Sequence, residues 1–214
     1  MTPTFAAAVD PIFLRVLDLL DRISRNQGRS PQEEYTGIQN VFREAEARVG
    51  ELTGWELAKY ALVAWIDDVL IEAPWDGREW WENNSLEFAY FKTRDRATEF
   101  YIKARAASEL TRRDILEVFY VCVMLGFRGM YALKDAAFLA DQLQLPIDLP
   151  SWASRTAQSI QIGHGRAGIR ESLRTLAGAP ALEGKYQFVG NMLMTAMLTM
   201  VLMAIVFFFY IADK

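Results

Sequence analysis

The feature that most constrains this chain is a run of 27 residues, Tyr186 to Ala212, that carries no charged side chain and in which 22 residues are apolar. Its centre, Met192 to Ala212, reads MLMTAMLTMVLMAIVFFFYIA. Coiled as an α-helix, those residues rise about 31 Å, which matches a hydrocarbon core about 30 Å thick. A helix satisfies its backbone groups internally and can sit in lipid; an isolated strand cannot. A fully buried core helix is the competing reading. The missing polar stripe, the length and the position just before Asp213 and Lys214 favour a membrane span over 186–212. Within it, Met194, Met197, Met200 and Met203 recur every three residues, and Thr195 and Thr199 lie four apart. A packing face built on Thr195, Met197, Thr199 and Met200 would make the chain a homo-oligomer through its membrane helix. Lipid-facing filler is the alternative for the same residues.

Without that run, the other 187 residues are about 48% apolar, ordinary for a globular domain. A polytopic membrane protein and a disordered chain are excluded. From Arg155 to Lys185 there are five basic residues against two acidic, whereas the first 154 residues carry 17 basic and 24 acidic. The positive-inside bias then puts the N-terminal part in the cytoplasm. The first residues, MTPTFAAAVD, have neither the basic start nor the apolar core of a signal peptide. The expected organisation is a cytoplasmic helical domain at 1–154, a basic juxtamembrane segment at 155–185, a span at 186–212 and a two-residue tail. An acidic body beside a basic collar suits anionic lipid and leaves no footprint for nucleic acid.

Helix signals recur through the cytoplasmic part and strand signals are scarce. Asp10-Pro11 reads as a cap and first position, followed by an apolar face at Ile12, Phe13, Val16, Leu17, Leu20 and Ile23, with Gly28 as the stop. Ser30-Pro31-Gln32-Glu33 is a capping box that opens a helix to about Val49, and Thr53-Gly54-Trp55-Glu56 repeats the device for a helix to about Ile71. Further helices fit 83–92, 95–107, 111–125 (capped by Thr111) and 132–143, with a break at 145–150 and a flexible glycine-rich connection at 163–168. The class is all-α.

Chemistry is sparse. One cysteine and one histidine cannot build a disulfide or a Cys/His metal cluster. Cys122 reads as a small core residue in an apolar helix, and His164 as an exposed histidine without a role. Gly163-His-Gly-Arg-Ala-Gly168 matches a dinucleotide string in letters alone, since no strand precedes it. No nucleophile motif is present, so neither catalysis nor a cofactor is expected. Four carboxylates stand out: Asp67, Asp68, Glu87 and Glu117 sit in otherwise apolar helices and must face water or be paired. Arg128 and Arg94 are candidate partners. The group forms either an acidic cleft for a partner's basic residues or an internal ion-pair network. Trp75, Trp80 and Trp81 crowd one loop, as interface anchors or as the cap of a bundle core.

Three segments together resemble the DotU/TssL (IcmH-like) family, the inner-membrane component of type VI secretion systems with a relative in type IVB systems. They are Ala64-Trp-Ile-Asp67-Asp68 followed by Pro74-Trp75 and Trp80-Trp81; Ser85-Leu-Glu87-Phe-Ala-Tyr90-Phe91 continuing to Glu99-Phe100-Tyr101; and Leu116-Glu117 through Gly126-Phe127-Arg128-Gly129-Met-Tyr131. The resemblance implies a hook-like cytoplasmic domain of two small helical bundles and a single-pass protein of the bacterial inner membrane. It implies a non-catalytic structural subunit with a TssM/IcmF-like membrane protein and cytoplasmic baseplate proteins as partners. The family's acidic pair falls on Asp67 and Asp68, and its helix-end glycines on Gly126 and Gly129. Asp68 stands where glutamate is common, Ala97-Thr98 where glycines are, and Met130 where a basic residue is. Some family members carry a peptidoglycan-binding domain after the span. Here cell-wall attachment is expected from another subunit. A generic tail-anchored adaptor or sensor is the alternative function.

Overall fold

The computed structural model describes residues 1–50 and 52–163, together with residues 194, 196, 197 and 200. The chain divides into two compact units, Met1–Ala167 and Gly168–Lys214, and every helix named below belongs to the first. Among the described residues there is no strand, so the all-α class holds.

Helix α1 (Pro3–Ser24) buries Phe5, Val9, Ile12, Val16, Leu19 and Ile23, a stripe at alternating four- and three-residue steps. It starts well before the expected cap at Asp10, and Pro11 lies inside it. A proline in a helix has no amide for the carbonyl four residues back. That carbonyl, on Ala7, instead accepts a 2.8 Å hydrogen bond from Nη1 of Arg48 on α2 (Pro31–Val49). Further forward, the backbone amide and Oγ1 of Thr2 each donate to Asp114 at 2.8 Å, which secures the start of the helix. The capping box at Ser30 is present: its Oγ accepts from the Glu33 amide at 3.3 Å. Gly50, at φ 58°, closes α2.

Helix α3 (Trp55–Glu72) is the centre of the fold and is buried on nearly every side from Tyr60 to Asp67. It packs against α4 (Arg78–Asn83), α5 (Leu86–Phe91), α6 (Arg96–Glu109) and α7 (Asp114–Met124). Its cap is Gly54 at φ 89°, so the capping device of α2 is not repeated at Thr53. A Cβ at Gly54 would stand 2.8 Å from a methyl of Leu110, so both backbone and space demand glycine there.

Several boundaries differ from the sequence reading because long-range contacts decide them. Part of the tryptophan loop is α4, and the helix expected over 83–92 begins only at Leu86, after Ser85. The helix expected from Thr111 begins at Asp114, whose carboxylate serves Thr2 and Arg112. The helix expected over 132–143 resolves into a 3-10 turn (Gly129–Ala132) and α8 (Ala136–Gln142). Helix α9 (Leu149–Gly163) runs through the expected boundary at 154, because Trp152, Thr156 and Ile160, one turn apart, are buried on the face it turns inward. Cys122 is a core residue as expected.

Among the described residues one helical run, Asp114–Ala132, is long and apolar enough to cross a membrane. Ile115, Leu116, Val118, Phe119 and Cys122 are buried in the core, so the run is the core helix of this domain. The span at 186–212, most of the basic segment, His164 and the glycine string at 163–168 lie outside the described residues or at their edge. Of the packing face in the span, Met197 and Met200 are helical and exposed, as is Met194; Thr195 and Thr199 lie outside.

Candidate functional site

The four singled-out carboxylates do not form one acidic surface. Successive helical residues diverge by about 100°, and the neighbours Asp67 and Asp68 on α3 accordingly have different fates. Asp67 is fully buried. Its Oδ1 accepts from the Trp81 indole and from the Leu86 amide, both at 2.9 Å, and its Oδ2 accepts from the Glu87 amide at 2.8 Å. It thus joins α3 to α4 and answers two free amides at the start of α5, where Ser85 Oγ answers the amide of Phe88. Burial pushes the Asp67 carboxyl up to about 6, against the pull of those three donors.

Glu87 is equally buried and is spent on the next connection. Its Oε1 accepts from Tyr60 Oη at 2.8 Å and from Thr93 Oγ1 and the Asp95 amide at 2.9 Å. Its Oε2 is buried with no hydrogen bond. The Tyr60 phenol is raised by its own burial and by this bond. For Asp67 and Glu87 the cleft reading is therefore corrected. A partner cannot touch them, and neither has an ion pair among the described residues: both oxygens of Asp67 and Oε1 of Glu87 accept from backbone amides, an indole and hydroxyls.

Asp68 is half-buried where α3, α6 and the 3-10 turn meet. Arg96 Nε stands 3.6 Å from Oδ1, an ion pair too long to be a hydrogen bond, and the Arg128 amide lies 3.5 Å from Oδ2. Burial raises this carboxyl, and Arg96 pulls it down. The arginine beside the acidic pair is thus Arg96 and not Arg94, whose guanidinium lies 5.1 Å from the Phe88 ring. Arg128 contributes backbone: its carbonyl accepts from Tyr101 Oη at 2.7 Å while its side chain is exposed. Gly126 at φ 109° and Gly129 at φ 51° make this reversal possible, and a Cβ on Gly129 would sit 2.8 Å from the Ala97 carbonyl oxygen. Glu117, on α7, pairs with the Met1 amine.

Trp75 donates to the Leu70 carbonyl at 2.8 Å, and its ring lies 6.2 Å from that of the fully buried Trp81. Tyr35 meets Trp80 and Trp81 edge-on at 5.5 and 5.4 Å. The tryptophans cap the end of the core around Asp67, with Trp75 and Trp80 partly exposed. Sequence reasoning missed Trp81 as the donor to Asp67, Tyr60 as the donor to Glu87, and Arg96. The first two had a signal, since a polar tip on a buried aromatic needs a partner. Nothing in the sequence separates Arg96 from Arg94. Among the described residues no group of His, Cys, Asp and Glu is arranged to hold a metal ion.

The strings that make up this site, the acidic pair with its tryptophans and the glycine-flanked reversal, lie within residues 4–212, which the family model of type VI secretion system protein DotU matches. The chain belongs to the DotU family. The cytoplasmic domain of TssL from Acinetobacter baumannii has a similar fold, with a TM-score of 0.55 and 21% identity over 74% of this chain and 98% of that one. The search of the curated proteins gives no match. As a DotU-family protein the chain is a component of a type VI secretion system.

Proposed function

We propose that this DotU-family chain is a non-catalytic structural subunit that anchors a type VI secretion complex in the inner membrane and docks cytoplasmic baseplate proteins. The observation that carries the reading is the family match over residues 4–212, which spans both the helical domain and the charge-free stretch from Tyr186. That stretch supplies the anchor, single-pass, with the helical domain on the cytoplasmic side. The buried carboxylates support a scaffold: both oxygens of Asp67 and Oε1 of Glu87 fasten helices and the connections between them. A TssM/IcmF-like membrane protein and a second copy of the chain are the partners in the membrane. In the acidic region the surface available for docking is the rim: half-buried Asp68 and Trp75 and exposed Arg128, with Asp67 and Glu87 holding that rim from beneath.

Membranes separated by ultracentrifugation, solubilised in detergent and captured through a tag on the full chain test this. The expected outcome is a membrane-resident chain that co-purifies with a TssM-like protein and with baseplate components. A chain left in the soluble fraction overturns the anchoring; a membrane-resident chain that captures neither partner overturns the docking.

A further inference from the structure

We propose that the cavity between α6 and α9 binds the phosphate headgroup of an anionic membrane lipid. The cavity has a volume of about 220 Å³ and is walled in part by α7 and by the connection from α8 to α9. Arg105 of α6 and Arg155 of α9 both line it, and no carboxylate does. Arg105 donates through Nη2 to the Leu143 carbonyl, which fixes its guanidinium at one edge. Arg155 is exposed and has neither ion pair nor hydrogen bond among the described residues, leaving its planar fork of donors free to meet a phosphate two bonds at a time.

A second observation comes from the wall of the cavity. Thr156 is only 8% exposed, yet its hydroxyl has no hydrogen-bond partner among the described residues. A helical threonine commonly returns its hydroxyl to the carbonyl four residues back. Thr156 does not, so its hydroxyl is free to bond a ligand in the cavity. Ser159, one turn along at the same cavity, is also unbonded. Leu116 and Trp152, 2% and 4% exposed, make the remaining wall apolar. The combination suits an anion carried on an apolar stem.

Size and place select a lipid headgroup. The volume is below the ~300–1,000 Å³ of sites for drug-sized ligands and equals about seven waters at ~30 Å³ each. It has room for a phosphate with the first atoms of its stem. Helix α9 is also the last described helix before residues 164–185, which carry four basic and two acidic residues and lead to the charge-free stretch. Those 22 residues can extend no further than about 75 Å, so an anchored chain carries α9 no farther than that from the bilayer. In this respect the proposal rests on the membrane reading given above.

The test uses the full chain in an uncharged detergent, titrated by calorimetry with dihexanoyl phosphatidylglycerol below its micelle concentration. Dihexanoyl phosphatidylcholine, inorganic phosphate and an acidic peptide are titrated in parallel. Saturable binding of one phosphatidylglycerol is expected, at least about tenfold tighter than phosphatidylcholine or free phosphate. Arg155→Ala should weaken it about tenfold or more, since a hydrogen bond to a charged group is lost, and the isosteric Thr156→Val about threefold. Arg78→Ala, an exposed charge elsewhere, should leave it unchanged. Arg155 has no bond to lose within the protein, so its removal reads binding and not folding; circular dichroism checks both variants. Equal binding of phosphatidylcholine, an affinity unmoved by Arg155→Ala, free phosphate bound as tightly as the lipid, or tighter binding of the acidic peptide would each overturn the proposal. A soluble chain would end the membrane reading whatever this titration gives, whereas a membrane-resident chain that fails the titration loses only this site.

Discussion

Two buried carboxylates, one between α1 and α2 and one at the heart of α3, meet the same cost in opposite ways. Glu34 is fully buried and clamped by cations: Arg15 Nη2 lies 2.7 Å from one oxygen and Arg22 Nη1 2.5 Å from the other. The Arg22 guanidinium is raised, most of all by its bond to Glu34. Asp67 is as deeply buried and has no cation in contact, only two amides and an indole. The first arrangement joins two helices that already form a pair. The second holds a connection in place, since without Asp67 the start of α5 has no acceptor for two of its amides. A carboxylate answered by flexible arginines can relax when one partner goes; one answered by backbone cannot.

The largest expected effect tests that contrast directly. Asp67→Ala leaves three buried donors unanswered at roughly 1–3 kcal/mol each, so a loss of at least about 3 kcal/mol is expected in denaturant unfolding. The loss should be the greatest of this set. Glu34→Gln should cost less, about 1–2 kcal/mol, because Arg15 and Arg22 are partly exposed and can turn to water. If Glu34→Gln proved the more damaging, the contrast would be reversed.

A pH series sharpens the same comparison. The folded-state value for Asp67, about 6, lies above its unfolded value of 3.8, so the folded protein holds this proton more tightly. The group's contribution to stability is therefore fully present below about pH 4 and is lost as pH rises to about 6. The advantage of the unsubstituted chain over Asp67→Asn should shrink across that window. An advantage that instead grows with pH would mean that the three donors outweigh burial.

The smallest effect is expected at Glu87 on α5. Glu87 takes all its bonds on Oε1 while Oε2 has none. Glu87→Gln can keep that acceptor and place its amide nitrogen in the unused position, so a change within about 1 kcal/mol is expected by thermal melting. A large loss would show that the second oxygen matters in a way the geometry does not reveal.

Much of the fold was legible because it rests on local patterns: the stripe on α1, the Ser30 cap and the glycines at 126 and 129. What failed was set by residues far apart in the chain. Pro11 reads as a helix start, but the helix continues through it, and Arg48 answers the carbonyl that the proline leaves without a donor. The unease around Asp67, Asp68 and Glu87 was legible, since charge in an apolar helix demands an answer. The answers were not, because Trp81, Tyr60 and Arg96 come from other helices whose placement the sequence pattern leaves open. The basic cavity at α9 was not anticipated either, as its two arginines lie 50 positions apart.

The apolar run through α7 carries a consequence for synthesis. Until α3 and α6 cover it, a nascent chain displays Asp114–Ala132 as a second segment long and greasy enough to enter a bilayer. The polypeptide emerges N-terminus first, so everything needed to bury that segment, apart from α9, is made before or shortly after it. On the membrane reading proposed above, early collapse of the domain works as a topological safeguard: it hides the decoy before the insertion machinery meets the stretch at Tyr186. Mutations that slow this collapse should be felt as misinserted chains as well as unstable ones.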